Sequence, residues 1–209
     1  MKKARLWVIL FFLVIISPKT ANAIPFQFDL GAGSYFDGSA FSDPGLVLFW
    51  EPVNLDSLLF TLDQGDNYTF LVAEIGTAEG WVNEDDLIPR DINFHLDFDN
   101  PDLIPPTSTG TSVGFVGYWW IIPISQGWKV EWNSPTTVNF GNGGQFTIEL
   151  NDLFFEAPYL AGPDGASCSP HTEKLFATIT LNSSPVPEPA SALFLGCALL
   201  AISMLRRKI

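Results

Sequence analysis

Cysteine is nearly absent from this chain. There are two, and Cys197 lies in a C-terminal apolar run, so Cys168 stands alone in the long acidic middle. One thiol closes no intrachain bridge, which excludes a disulfide framework. A free Cys is ordinarily a buried, inert residue, with an intermolecular partner as the alternative. Positive charge is also scarce. Between residues 24 and 184 only Arg90, Lys129 and Lys174 face 22 carboxylates, a net of −19 within a chain whose overall charge is −13. Such a surface repels nucleic-acid phosphates and anionic lipid heads, which excludes both as partners. Divalent cations and neutral or basic glycans remain.

Helical periodicity is missing too. No window of a dozen residues between the ends repeats its apolar residues every three to four positions; alternation dominates instead. Ile92, Phe94, Leu96 and Phe98 alternate with Asn93, His95 and Asp97. Phe146, Ile148 and Leu150 repeat the pattern, as do Leu58, Phe60 and Leu62, and then Leu175, Ala177, Ile179 and Leu181. A period of two places each apolar set on one face of a pleated strand. Further strands are expected over 26–30, 46–50, 68–75, 113–120 and 127–132, with turns at 63–67 and 139–144. Eight to ten short strands punctuated by Gly and Pro predict an all-β fold. The expected form is one antiparallel β-sandwich of the jelly-roll kind over residues 24–184, with a closed barrel as the alternative. That length buries a core of its own, and the chain's 18 Phe and seven Trp supply the apolar mass.

Groups able to do chemistry are few. Of the two histidines, His95 alternates with core residues on a strand, and His171 follows Cys168 by three positions in a loop. A neighbouring imidazole activates a thiol, yet no orienting partner or oxyanion loop accompanies this pair, and no catalytic residue is assigned. Asp97, Asp99 and Asp102, with Asn100 among them, could supply oxygen ligands to calcium at a strand end. They lack the central Gly and closing Glu of an EF-hand loop, and a solvated acidic turn opened by Asn-Pro is the better explanation of them. Glu84-Asp85-Asp86 is a weaker version of the same pattern. Trp119, Trp120, Trp128 and Trp132 cluster on one expected strand pair. Exposed indoles stack on sugar faces, although large aromatics in an all-β domain are usually packing. Trp119 and Trp120 are neighbours and point to opposite faces, so at most one is expected in the core.

The two ends carry different information. Lys2, Lys3 and Arg5 precede an apolar stretch over residues 6–16, and Ala21-Asn22-Ala23 offers small residues at the positions a signal peptidase grips. Residues 1–23 therefore read as a secretory signal peptide cleaved after Ala23. Eleven helical residues reach about 16 Å, too short for a hydrocarbon core of about 30 Å. At the other end, residues 190–205 form an apolar run of about 24 Å of helix, followed by Arg206, Arg207 and Lys208. Thinning of the bilayer and the flanking cations can let so short a helix cross once, with its basic end on the cytoplasmic side. Upstream, Pro185, Pro187 and Pro189 fix φ and remove donors, keeping that peptide extended.

Val186-Pro187-Glu188-Pro189-Ala190, a short apolar helix and a terminal Arg-Arg-Lys resemble a PEP-CTERM sorting tail over residues 186–208. Pro187, Glu188 and Pro189 match the motif residue by residue. The resemblance implies a Gram-negative source, processing by a multi-spanning exosortase near the motif, and passage of the product from the inner membrane to the cell surface or extracellular matrix. It carries no catalytic motif. The sequence thus predicts an exported, non-enzymatic surface or matrix protein, handled by signal peptidase and an exosortase-type enzyme and needing no cofactor. The alternative is a module on the same sandwich that binds extracellular polysaccharide, assisted by calcium.

Overall fold

The computed structural model describes residues 25–158 and 172–185, apart from residues 57, 78, 80 and 134. The signal peptide, the sorting tail, Cys168 and His171 lie outside the described residues. Thirteen strands are described. They form three antiparallel sheets, one of them curled into a half-barrel. In the smallest, β1 (Phe26–Leu30) lies between β4 (Leu59–Leu62) and β7 (Phe98–Asn100). A five-stranded sheet runs β10 (Thr136–Phe140), β11 (Gly144–Leu150), β13 (Thr172–Ser183), β5 (Asn67–Thr77) and β3 (Leu48–Pro52). The other runs β12 (Leu153–Pro158), β9 (Ile122–Trp132), β8 (Thr107–Trp119), β6 (Arg90–His95) and β2 (Tyr35–Asp37). Two single-turn 3₁₀ segments, Ser39–Phe41 and Asp85–Leu87, are the helical elements among the described residues.

Alternation sets the inward faces. Phe146, Ile148 and Leu150 on β11, with Ala177, Ile179 and Leu181 on β13, are buried together. The alternation is interrupted in β5, where Val72 and Ala73 are consecutive and both buried. The register there shifts between Leu175 and Phe176, so that Leu175 pairs with Ala73 and Phe176 with Leu71. An extra residue in one strand is a bulge, and it restores the pleat on either side of itself.

One core joins all three sheets. Phe28 of the small sheet packs edge-on against Phe146 at 5.2 Å and stacks on Phe60 at 5.2 Å. Phe98 meets Phe146 at 5.3 Å. At the other end Phe36 of β2 contacts Phe94 at 4.7 Å and Trp50 of β3 at 5.0 Å, linking the two large sheets. Buried aromatic groups of this size contribute about 1.5–3 kcal/mol each, enough to hold such a fold without cross-links.

The chain changes sheet at a double corner. β2 pairs with β6 in one sheet and β1 with β7 in another, so the links 31–34 and 96–97 turn side by side. Asp97 locks that corner. Its carbonyl accepts from Gly31 N, its carboxylate from Gly33 N at 3.0 Å, and its own N–H donates to Ser34 Oγ. A Cβ on Gly31 or Gly33 would occupy the space of the Asp97 carboxylate, which explains the two glycines. The expected continuous strand through Phe98 is therefore broken at Leu96, although Leu96 and Phe98 keep their inward positions.

Candidate functional site

A polar cleft of about 570 Å³ lies where Glu79 and residues 81–86 approach residues 43–47. Its walls include Asp43, Glu79, Trp81, Asn83, Asp85 and Asp86. Local hydrogen bonds fix its geometry. Thr77, the last residue of β5, donates its hydroxyl to Val47 O at 2.8 Å and accepts from Glu79 N at 3.2 Å. Val47 N in turn donates to Glu79 Oε1. Below the cleft, Val82 N reaches Gln126 Oε1 at 3.2 Å, and Asn83 N reaches Asp86 Oδ2 at 2.6 Å. Gly114 on β8 makes room for this segment, because a Cβ there would lie 2.9 Å from Val82 Cγ1 and 3.1 Å from Asp86 Cβ.

Asp86 is buried, at 1 % exposure, and shares a hydrogen bond with Glu79. Burial is the largest reason that the Glu79 carboxyl holds its proton above the ordinary carboxylate range. The Val47 N–H opposes the shift; the charges of Asp86 and Asp85 and the Asp86 hydrogen bond reinforce it. A like charge beside a carboxyl disfavours its ionisation, so Asp86 and Asp85 act on Glu79 in the same direction as burial. The cleft thus presents a half-exposed indole beside carboxyl and amide oxygens. That chemistry suits hydroxyl-rich neutral ligands better than anions.

Sequence-derived candidates fall elsewhere. Asp97 spends its carboxylate on the corner described above, while Asp99 and Asp102 are exposed residues. Among the described residues no three His, Cys, Asp or Glu side chains gather to hold a metal, so the expected calcium triad is not assembled. The reason is that Asp97 turns into the sheet-to-sheet corner instead of continuing the strand. Trp128 is 2 % exposed, and Trp132 is half-buried against the core, so neither offers an open ring face to a glycan. Trp119 and Trp120 are both exposed, because β8 ends there in a hairpin beyond the sheet rather than crossing it. His95 lies in a surface row across β2, β6 and β8, stacked on Tyr35 at 4.3 Å. Its Nε2 lies 3.1 Å from Asp37 Oδ2 and its Nδ1 2.9 Å from Thr107 Oγ1.

The pairing of Glu79 with Asp86 was not legible in the sequence. Glu84-Asp85-Asp86 stood out as an acidic run, but nothing in its spacing points to a partner seven residues back. The apolar dipeptide Trp81-Val82 between them is the signal that could have marked this loop as packed. No protein-family model, no curated protein and no solved structure matches this chain.

Among the described residues no helix is long and apolar enough to cross a membrane. The apolar run over 190–205 lies outside them.

Proposed function

We propose that this chain is an exported, non-enzymatic surface or matrix protein whose C-terminal segment is a sorting signal for exosortase processing. The observation that carries the proposal is the ordered set Pro187-Glu188-Pro189, an apolar run over 190–205 and Arg206-Arg207-Lys208, combined with a signal-peptide pattern at residues 1–23. An extended Pro-rich peptide beside a membrane-embedded stop is a substrate that an intramembrane processing enzyme can grip. The last described strand supports the reading by its position: β13 ends at Ser183, four residues ahead of Pro187. The product would be the β domain, of jelly-roll-like sandwich form, delivered outside the inner membrane of a Gram-negative cell.

The test is genetic. Deletion of residues 206–208 together with Pro187→Ala, Glu188→Ala and Pro189→Ala should trap the chain in the membrane fraction at a higher mass than the wild type. Delivery to the same destination at the same mass would overturn the proposal.

A second reading draws on the cleft. Trp81 beside Asn83, Asp85 and Asp43 combines a ring face with hydroxyl acceptors, the pattern that recognises a sugar. On this reading the β domain also holds a neutral extracellular polysaccharide. Trp81→Ala should then abolish retention on the polymer, and retention equal to the wild type's would overturn this reading.

A further inference from the structure

The β8–β9 hairpin projects beyond the sheet that carries it. Past Ser112, the last β8 residue paired with β6, strand β8 has β9 as its one hydrogen-bonded strand partner among the described residues. Among the described residues β9 has no second partner before Ser125, which pairs with Pro158 at the end of β12. The outermost residues are apolar on both faces: Tyr118, Trp119, Trp120, Ile121, Ile122 and Ile124 are 44–93 % exposed. No residue between Asp102 and Lys129 is charged, in a chain otherwise rich in carboxylates. At the apex Trp120 has φ 62, a left-handed conformation that bulky side chains avoid. The turn would be relaxed by Gly or Asn there, so the indole is held at the tip against the backbone's preference.

We propose that this tip inserts into the headgroup region of an electrically neutral lipid bilayer. A knob that is apolar on all sides has no flat face or groove to match to a rigid partner, whereas a fluid interface closes around it. Trp and Tyr prefer the headgroup level, and Ile prefers the acyl chains just below. From Tyr118 to the apex the hairpin rises about 7 Å, within the roughly 5–10 Å that interfacial elements penetrate. The ladder Gly117↔Ser125, Tyr118↔Pro123 and Trp119↔Ile122 pairs the backbone, and Pro123 brings no N–H to desolvate. The acidic body selects the lipid: it is repelled by anionic headgroups and tolerated by zwitterionic ones. A sugar ligand is disfavoured, since the tip carries few hydrogen-bonding side chains to set around a ring.

The test uses the full-length chain with vesicles of brominated phosphatidylcholine, which quench indoles that enter the acyl boundary. Because the C-terminal apolar run can bind vesicles by itself, the readout is a difference between variants. Wild-type emission should fall further than that of Trp119→Phe/Trp120→Phe, by up to about two of the seven tryptophans. Ile121→Asp/Ile122→Asp should lose the same increment with an unchanged melting temperature. Equal quenching in all three chains would overturn the proposal. So would quenching that requires phosphatidylglycerol, or lipid-free dimers in sedimentation velocity that Ile121→Asp/Ile122→Asp dissolves, which would identify a second copy as the occupant.

Discussion

Phe146→Ala tests how the three sheets are held as one body. Phe146 sits on β11, is fully buried, and contacts Phe28, Phe98 and Phe140 at ring separations of 5.2, 5.3 and 5.5 Å. Two of those partners belong to the small sheet, so the ring is a joint between sheets rather than filler within one. Truncation of a buried Phe costs about 3–5 kcal/mol, and the loss of aromatic pairs places this case near the upper end. For a domain of this size about 1 kcal/mol moves the midpoint by about 2–4 °C, which predicts a fall of about 10–15 °C. Phe154→Ala is the matched control. Its ring is 58 % exposed on edge strand β12 and stacks on Phe115 at 5.1 Å, so about 1 kcal/mol or less is at stake. Urea unfolding followed by near- and far-ultraviolet circular dichroism should give one transition in both variants, with an unchanged slope. A fall for Phe146→Ala no larger than for Phe154→Ala would refute the reasoning. Two separated transitions in the wild type would refute it as well, because the small sheet would then melt alone.

Other outcomes follow from the same geometry. Because the folded Glu79 pKa lies above its ordinary value of 4.5, the native chain keeps a proton there that the unfolded chain has lost. Stability should therefore fall as pH rises from about 4.5 through the folded pKa and level off above it; Glu79→Gln, followed by thermal melting across pH, should remove that slope and melt higher at pH 7. Ser112 is fully buried with no partner for its hydroxyl among the described residues, so Ser112→Ala should leave the melting temperature unchanged or raise it, and a clear loss would mean the hydroxyl is satisfied. Millimolar calcium should not shift melting, since Asp97 is committed to the corner; stabilisation approaching the about 2.7 kcal/mol expected at 100 times Kd would contradict this.

Much of the fold was legible because alternation is a local signal. The strand expected over 26–30 is β1, and those around 68–75, 127–132 and 145–150 lie within β5, β9 and β11. Three strands escaped detection. β2 has three residues, too few to show a period, and β10 reads Thr-Thr-Val-Asn-Phe, with two apolar residues. β12 begins Leu-Phe-Phe, where Phe154 is exposed and Phe155 packs half-buried, so its apolar residues do not mark one side. The candidate site was less legible for a related reason. Asp43, Glu79 and Asp86 line one cleft through loop geometry, and loops carry no period. The tryptophans misled because an indole reads alike in a sequence whether it fills a core, as Trp128 does, or crowns a hairpin, as Trp120 does.

Export and trimming form the central claim, and the mass of the mature polypeptide tests it most directly. Intact-protein mass spectrometry of the extracellular fraction should find a chain that begins at Ile24 and ends near Glu188. A surface species that still carries Arg206-Arg207-Lys208-Ile209 would contradict the account and make the C-terminal run a permanent anchor.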